Sequence, residues 1–150
     1  MIHPKASIAV AAPPSEVITF IADPVTAPRW MKALEVSELL TPGPIRPGSQ
    51  FREIQNAGGQ RIETICEVVE YDGETRYAWK SVSDGPTQYG GGFTALGIDG
   101  GTELRYEGWA TTTGRPARRE EAWARQAQRE AEAELAAIKA AVEHSEARER

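Results

Sequence analysis

The last quarter of the chain, from about Arg115 to Val142, carries one narrow apolar stripe on a charged background. No proline or glycine follows Pro116, and the residues that dominate the stretch are strong helix formers. Its apolar side chains recur at helical spacing: Trp123, Ala127, Ala131, Leu135, Ile138 and Val142. The pattern predicts a helix of roughly 40 Å, beginning between Gly114 and Glu121, that must lie against another element.

The middle of the chain alternates apolar and polar residues, and glycine-containing turns separate the alternating runs. The pattern predicts seven strands, at residues 5–12, 35–40, 49–56, 60–71, 76–83, 88–99 and 102–112. Two short helices should follow the first strand, one from Pro14 or Ser15 to Asp23 and one from roughly Val25 to Leu34. We therefore predict a single α+β domain over residues 1–150, with a curved antiparallel sheet of six to seven strands wrapped around the C-terminal helix.

On most strands the charged positions should face solvent, which assigns the opposite face to the interior. Phe51 and Phe93 should point inward because of their size, and period two then carries Glu53 and Gln55 inward with Phe51. The inward residues are then Phe51, Glu53, Gln55, Ile62, Thr64, Cys66, Val68, Tyr77, Trp79, Ser81, Phe93, Leu104 and Tyr106. A buried carboxyl or hydroxyl without a partner costs about 1–3 kcal/mol, so this mixture does not suit a dry core. It indicates a cavity with aromatic walls, although core packing remains the alternative for each aromatic residue. The run Gly90–Gly92 predicts a bend or bulge, because no helix follows it as in a phosphate loop.

Composition excludes several classes of protein. The 150 residues carry a net charge of −5, whereas a nucleic-acid binder would show a basic patch. One cysteine permits no internal disulfide, and the two histidines, His3 and His144, lie near the ends of the chain. We therefore expect no zinc site, no histidine triad, no metal and no cofactor. No signal-peptide or membrane-spanning run is present, which predicts a soluble cytoplasmic protein.

Several segments together resemble the START-like/SRPBCC superfamily, which includes Bet v 1-like proteins. They are the opening VAAPPSEVITFIADP…RW, the strand entry PGSQF, the hairpin EVVEYDGETRYAW, and GGTELRYEG before the long helix. The superfamily's Bet v 1-like and polyketide cyclase/dehydrase branches are the most similar in length. The resemblance implies a helix-grip fold with a hydrophobic cavity between the sheet and the helix. Because the superfamily contains enzymes, carriers and receptors, it implies a pocket more firmly than a reaction.

Three inward residues could carry acid–base chemistry: Glu53, Tyr77 and Tyr106. A carboxyl among aromatic side chains should have a raised pKa, as a general acid or base requires. The alternative for Glu53 is an ion pair with Arg52, Arg61 or Arg76, and the tyrosine hydroxyls could simply bond to the backbone. The predicted ligand-binding residues are Trp30, at the cavity mouth, and Phe51, Thr64, Cys66, Trp79, Phe93, Leu104 and Trp123. For Cys66 the alternative is a small buried apolar residue.

Three functions fit this pattern. The first is a polyketide cyclase/dehydrase-like enzyme that folds a hydrophobic, carbonyl-bearing substrate in the cavity. The second is a carrier or sensor of a hydrophobic ligand, and the third is a stress-type or chaperone-associated module that acts through its surface. A polar group with a perturbed pKa inside the pocket favours the enzyme, and a uniformly apolar lining favours the carrier. In each case we expect a monomer or homodimer, with no nucleic-acid partner.

Overall fold

A computed structural model describes residues 1–114 and 116–149; Arg115, where the predicted helical stretch begins, lies outside them. The elements are β1 (Lys5–Val10), α1 (Pro14–Ala22), a 3-10 turn (Ala27–Arg29), β2 (Leu34–Leu39), β3 (Gln50–Ala57), β4 (Gln60–Tyr71), β5 (Arg76–Ser81), β6 (Thr87–Ile98), β7 (Gly101–Thr112) and α2 (Ala117–Glu149). The strands form one antiparallel sheet in the order β1-β7-β6-β5-β4-β3-β2. The predicted α+β helix-grip architecture is confirmed.

Local turn chemistry fixes the central hairpins. Gly58 and Gly59 join β3 to β4 with φ angles of 60° and 86°, a region that glycine enters without steric cost. Between β4 and β5, Oδ1 of Asp72 accepts hydrogen bonds from the backbone N–H groups of residues 74–76 at 2.8–3.0 Å. These bonds hold the pKa of the Asp72 carboxyl well below its usual range. Both turns confirm the predicted hairpins.

The second short helix was predicted incorrectly. Instead of a helix from Val25 to Leu34, the chain forms only the 3-10 turn Ala27–Arg29 before it enters β2. Pro24 and Pro28 explain the difference, because Pro28 has no N–H and its ring would clash with the carbonyl group of residue 24 in an α-helix. The backbone N–H of Arg29 accordingly donates to the residue three positions before it, at 2.8 Å. The first helix, α1, is present as predicted.

The run Gly90–Gly92 lies in the middle of β6 and pairs with β5 and β7 without interruption. A bulge, one of the two forms predicted for this run, is therefore wrong. Register shifts occur instead in the pairs β2–β3 and β4–β5. Gly91 has a different physical reason, which concerns the side chain of Tyr106.

Tyr106 on β7 lies close against the sheet where β6 and β7 carry glycine. A Cβ atom added to Gly91 would come 2.9 Å from the Tyr106 ring, and one added to Gly108 would come 2.3 Å from its hydroxyl oxygen. Real Cβ atoms do not approach other atoms so closely, so any larger residue would displace the ring. The two glycines therefore make the space that fixes the position of Tyr106.

The C-terminal half of α2, residues 135–142, completes the hydrophobic core. Leu135, Ile138 and Val142 are 2%, 0% and 3% exposed, and they belong to one buried cluster with side chains of the sheet and α1. Lys139 Nζ donates to the carbonyl oxygen of Ala9 at 2.9 Å, which holds this half of the helix beside β1. The predicted burial of the stripe is confirmed here.

Candidate functional site

A cavity of about 540 Å³ lies between the sheet and the N-terminal half of α2, residues 123–134. Five aromatic side chains line it: Trp79, Tyr89, Tyr106, Trp109 and Trp123. Its size is within the range of small-molecule sites, and the aromatic surfaces suit an apolar ligand. In this part of α2, small alanines face the sheet, which leaves the space open.

The structure divides the predicted site residues among three places. Thr64, Trp79, Tyr106 and Trp123 line the large cavity. A separate void of about 20 Å³ is lined by Trp30, Phe51, Glu53, Tyr77 and the other side of the Trp79 ring. Cys66, Phe93 and Leu104 are at most 1% exposed and line neither space. These last three residues pack in the core, so their ligand-binding role has no geometric support.

Trp79 stands between the void and the cavity. Its ring stacks on Tyr77 with the centroids 5.6 Å apart, and on the cavity side its centroid lies 6.4 Å from that of Tyr106. Stacked rings of this kind hold one another in place. Trp30, which was predicted at the cavity mouth, is 5% exposed and meets Phe93 edge-on at 5.9 Å. It lies in the interior, beside the void.

Glu53 is only 4% exposed and faces inward, as predicted. Burial raises the pKa of its carboxyl, although a hydrogen bond donated by Gln55 Nε2 at 3.1 Å partly opposes the shift. The alternative of an ion pair with Arg52, Arg61 or Arg76 does not hold. Those arginines pair with other, more exposed glutamates at 2.8–3.2 Å.

The void beside Glu53 has room for about one water molecule. It is bordered by Ser37, Tyr77 and Trp30, and the buried Nε1–H of Trp30 has no hydrogen-bond partner among the described residues. Burial, followed by the charge of Glu53, raises the pKa of Tyr77, which keeps its hydroxyl protonated. The void is bordered by a few polar groups but is too small for a ligand of several carbon atoms.

The sequence analysis missed several cavity residues, among them Glu134 and Glu130 on α2, Tyr89 on β6 and Trp109 on β7. In the sequence, Glu134 belongs to the charged background of the helix and not to its apolar stripe. The available signal was its position seven residues after Ala127, which places it on the same helix face as the alanines of the apolar stripe. Tyr89 lines the cavity from β6, with its hydroxyl oxygen 3.8 Å from Sγ of Cys66. Burial raises the pKa of the Cys66 thiol to about 12, so this cysteine is not a nucleophile.

Glu134 is a part-buried acidic group whose pKa is raised to the range just above neutral pH. Burial, then the charge of Glu130 and that of Glu53, raises the pKa of its carboxyl from 4.5 to about 8. Among the described residues it has no hydrogen-bond or ion-pair partner. Across the cavity wall, burial and the charge of Glu134 raise the pKa of Tyr106, whose hydroxyl therefore remains a hydrogen-bond donor. The cavity thus holds one group that exchanges a proton near pH 8 and one that keeps its proton.

The raised pKa of Glu134 predicts how stability depends on pH. The folded state holds the proton up to about pH 8, whereas the unfolded chain loses it near pH 4.5, so unfolding becomes easier as the pH rises through this window. We expect Glu134→Gln to be more stable than the wild type at pH 8.5 by about 2 kcal/mol, a value reduced for screening by water in the cavity. Urea titrations at pH 5 and pH 8.5 measure the difference. Equal pH dependence in the two proteins would contradict the shift.

The described part of the chain contains no group of three histidine, cysteine or acidic side chains placed to hold a metal ion. None of its helices is both long and apolar enough to cross a membrane.

Comparison with known proteins agrees with this architecture. A family model described as polyketide cyclase/dehydrase and lipid transport matches residues 1–143. A search of curated proteins finds no match.

Three solved structures show the similarity of fold. The protein TTHA0849 from Thermus thermophilus is 21% identical, with a TM-score of 0.80 over 95% of this chain and 98% of that chain. A START superfamily protein from Mycobacterium smegmatis is 16% identical, with a TM-score of 0.78 over 95% and 97%. Zhui aromatase/cyclase from a Streptomyces species is 20% identical, with a TM-score of 0.75 over 94% and 93%. These similarities confirm the START-like fold.

Proposed function

The chain belongs to the polyketide cyclase/dehydrase and lipid transport family, and on this premise we propose that its cavity binds a hydrophobic, carbonyl-bearing small molecule and acts on it by acid–base chemistry. The observation that carries the proposal is the pair Tyr106 and Glu134, two proton-bearing groups on the walls of one aromatic cavity of about 540 Å³. A cavity that served only to store an apolar ligand would not need a carboxyl group placed at the cost of its own desolvation.

The proposed chemistry is proton transfer next to a carbonyl group. The Tyr106 hydroxyl donates a hydrogen bond to the carbonyl oxygen, and the Glu134 carboxylate takes a proton from the neighbouring carbon. The electron pair of that C–H bond moves towards the carbonyl oxygen, where the tyrosine stabilises the enolate charge. Such an enolate precedes both ring closure by carbon–carbon bond formation and loss of water from a β-hydroxy carbonyl compound. Positioning by the aromatic walls supplies the remainder of the catalysis.

Glu53 and Tyr77 form a second candidate pair for the acid–base chemistry. They border the void rather than the cavity, and Trp79 stands between them and a ligand. Their role in proton transfer therefore requires a path past Trp79, or through Gln55, which bonds to Glu53 and also lines the cavity. The predicted assignment of these residues as catalytic is tested by the paired variants described in the Discussion.

A carrier or sensor of a hydrophobic ligand is the alternative function. The apolar and aromatic surfaces that line much of the cavity favour it. The two functions share ligand binding and differ in turnover. Native mass spectrometry of the protein purified from its host would identify a molecule that travels with it.

Binding in the cavity is tested by filling it. Ala127 lines the cavity, whereas Ala133 on the same helix is exposed. We expect Ala127→Phe to weaken the binding of 2-tetralone, a hydrophobic ketone, by roughly tenfold, equivalent to about 1.4 kcal/mol, because the new ring occupies ligand space. Ala133→Phe is the matched control and should bind like the wild type in isothermal titration. Unchanged affinity in Ala127→Phe would place the ligand elsewhere.

A further inference from the structure

We infer that the ligand of this cavity carries a positively charged nitrogen, which is held between the aromatic walls and the carboxylates of Glu130 and Glu134. The inference rests on the proposed function, because it requires that the cavity is a ligand site. It adds the charge of the ligand, which neither the fold nor the family specifies.

The charged side chains among the described residues of the cavity lining are all acidic. Four lining residues are acidic, Glu63, Asp84, Glu130 and Glu134, and no lysine, arginine or histidine is among the described residues that line the cavity. Within the part of the chain that the structure describes, only Glu63 of these four has a cationic partner, Arg52, at 3.2 Å. An anionic ligand would therefore meet like charges on several sides, and a cation would meet opposite ones.

Some acidic residues of α2 that lie outside the cavity lining have cationic partners. Away from the cavity, Glu121 pairs with Arg125 at 3.1 Å and Glu143 pairs with Lys139 at 2.7 Å. The acidic side chains that line the cavity from this helix have no such partner among the described residues, and Glu130 accepts only an amide hydrogen bond from Gln126 at 3.1 Å. Glu132, outside the cavity lining, likewise accepts only an amide hydrogen bond, from Gln128 at 3.1 Å. Glu130 and Glu134 differ from it because they line the aromatic cavity, where a bound cation could reach them.

Glu130 and Glu134 lie four residues apart, so they occupy the same helix face on successive turns. Glu130 is exposed and Glu134 is part-buried, and both line the cavity. Their repulsion is one cause of the raised pKa of Glu134. A cation placed between them would replace this repulsion with two attractions.

The aromatic walls complete the recognition chemistry. The face of a tryptophan or tyrosine ring attracts an ammonium group, and the attraction is strongest where water is excluded. Tyr106 and Trp109 on β7 line the cavity together with Trp123 on α2. Gly91 and Gly108 hold the Tyr106 ring close against the sheet. Aromatic walls beside two carboxylates that have no cationic partner among the described residues suit an alkylammonium or arylalkylammonium ion better than a neutral molecule.

Cation binding should be coupled to proton release. The titratable groups around Glu134 are Glu130 on the same helix, Tyr106 on β7, Glu53 on β3 and, elsewhere in the lining, Tyr89, Glu63 and Asp84. A bound cation stabilises the Glu134 carboxylate and expels its proton at any pH below about 8. Affinity for a permanent cation must therefore rise as the pH rises towards this value, whereas affinity for a neutral molecule need not.

The experiment compares two probes of the same shape. They are 2-naphthylmethyltrimethylammonium and its uncharged carbon isostere, 2-neopentylnaphthalene, each titrated into the full chain at pH 6 and pH 9 and followed by ligand-observed NMR. We expect the cation to bind at least tenfold more tightly than the isostere at pH 9. This advantage should fall several-fold or more at pH 6, while the affinity of the isostere stays the same.

Substitutions on α2 test which carboxylate causes the preference for the cation. Glu134→Gln should abolish the pH dependence and most of the preference for the cation, and should leave the affinity of the isostere within about threefold. Glu130→Gln should reduce the preference but retain the pH dependence. Glu132→Gln, on an exposed face of the same helix, is the matched control and should behave like the wild type.

The outcomes separate the two proposals. If both probes bind equally at both pH values and Ala127→Phe weakens both, the cavity is a ligand site without preference for a cation, and only the present inference is overturned. If the preference for the cation survives in Glu134→Gln, the assignment to this carboxylate is overturned. If the wild type binds neither the probes nor 2-tetralone, the proposed function and the inference fail together.

Discussion

Replacement of Glu134 by glutamine is expected to slow proton exchange on a bound ketone by about 10²–10⁴-fold, the usual contribution of a positioned general base. The substitution keeps the shape and hydrogen-bonding capacity of the side chain but removes its ability to take up a proton. The assay follows the α-hydrogens of 2-tetralone by NMR as deuterium from the solvent replaces them. No identified natural substrate is required, because this exchange is the first step of the proposed chemistry.

The pH dependence of the wild type provides an independent check. The working form is the carboxylate, and the pKa of Glu134 in the free protein is about 8. The rate should therefore rise about tenfold per pH unit below this value and level off above it. A rate that falls with pH over the same range would mean that the protonated acid is the active form.

Two further variants decide between the candidate acids. Glu53→Gln should lower the exchange rate by less than tenfold, because Trp79 stands between Glu53 and the cavity. Glu132→Gln, the matched control, should have no effect. A large loss in Glu53→Gln with normal activity in Glu134→Gln would transfer catalysis to the pair Glu53 and Tyr77. Normal activity in both variants would assign the base to another group, and no exchange above the solvent rate in the wild type, with ligand binding retained, would favour a carrier.

Replacement of Ile138 by alanine should lower the free energy of unfolding by about 2–4 kcal/mol. The side chain is 0% exposed and packs in the main core cluster, so its removal leaves a cavity as well as losing buried apolar area. Ile98→Ala is the matched control, because Ile98 is 46% exposed at the end of β6. That change should cost less than about 0.5 kcal/mol.

Urea denaturation of the wild type and both isoleucine variants measures these effects. A loss under 0.5 kcal/mol in Ile138→Ala would mean that the helix is not anchored through this side chain. The exchange rate of the folded Ile138→Ala protein should remain within a few-fold of the wild type, since residue 138 lies in the C-terminal half of α2, away from the cavity.

Most of the sheet could be predicted because turn chemistry fixes where strands end. All seven predicted strands lie within two residues of the observed ones at both ends, and the bounds of β4, Gln60–Tyr71, coincide. Asp72 and the glycines at 58–59 set the hairpins through local backbone geometry, which a sequence states directly. The prediction of the second short helix was wrong for a local reason as well, because Pro28 prevents a regular α-helix at that position.

The sequence could not show which interior residues pack in the core and which border the cavity. The alternation of side chains along a strand assigns a residue to one face of the sheet, but it does not show which element packs over that residue. Cys66, Phe93 and Leu104 were correctly placed inside, yet they pack in the core cluster with Ile138. Thr64 and Tyr106, on the same face, remain beside the cavity. The difference depends on where along its length α2 touches the sheet, which is a tertiary property.

Glu134 could not be recognised as a cavity residue from the charge pattern alone. Glutamates dominate α2, and on a helix of this composition each one taken singly is expected to face solvent. The distinction arises because the alanines at 127 and 131 keep the helix from filling the space, so a neighbouring acid faces a cavity. Helical spacing places Glu134 and Glu132 on different faces, but only the packed structure shows that the face of Glu134 borders a cavity.

The division of α2 into a half that fills the core and a half that borders the cavity has a consequence for how this protein can change. Side chains that hold the fold and side chains that would select a ligand occupy separate turns of one helix, so substitutions in one group need not disturb the other. Residues 123, 127, 130 and 134 could be varied together to alter ligand preference while Leu135, Ile138 and Val142 keep the helix in place. A single rigid element thus offers a scaffold whose specificity can diverge, in evolution or by design, at little risk to its folding.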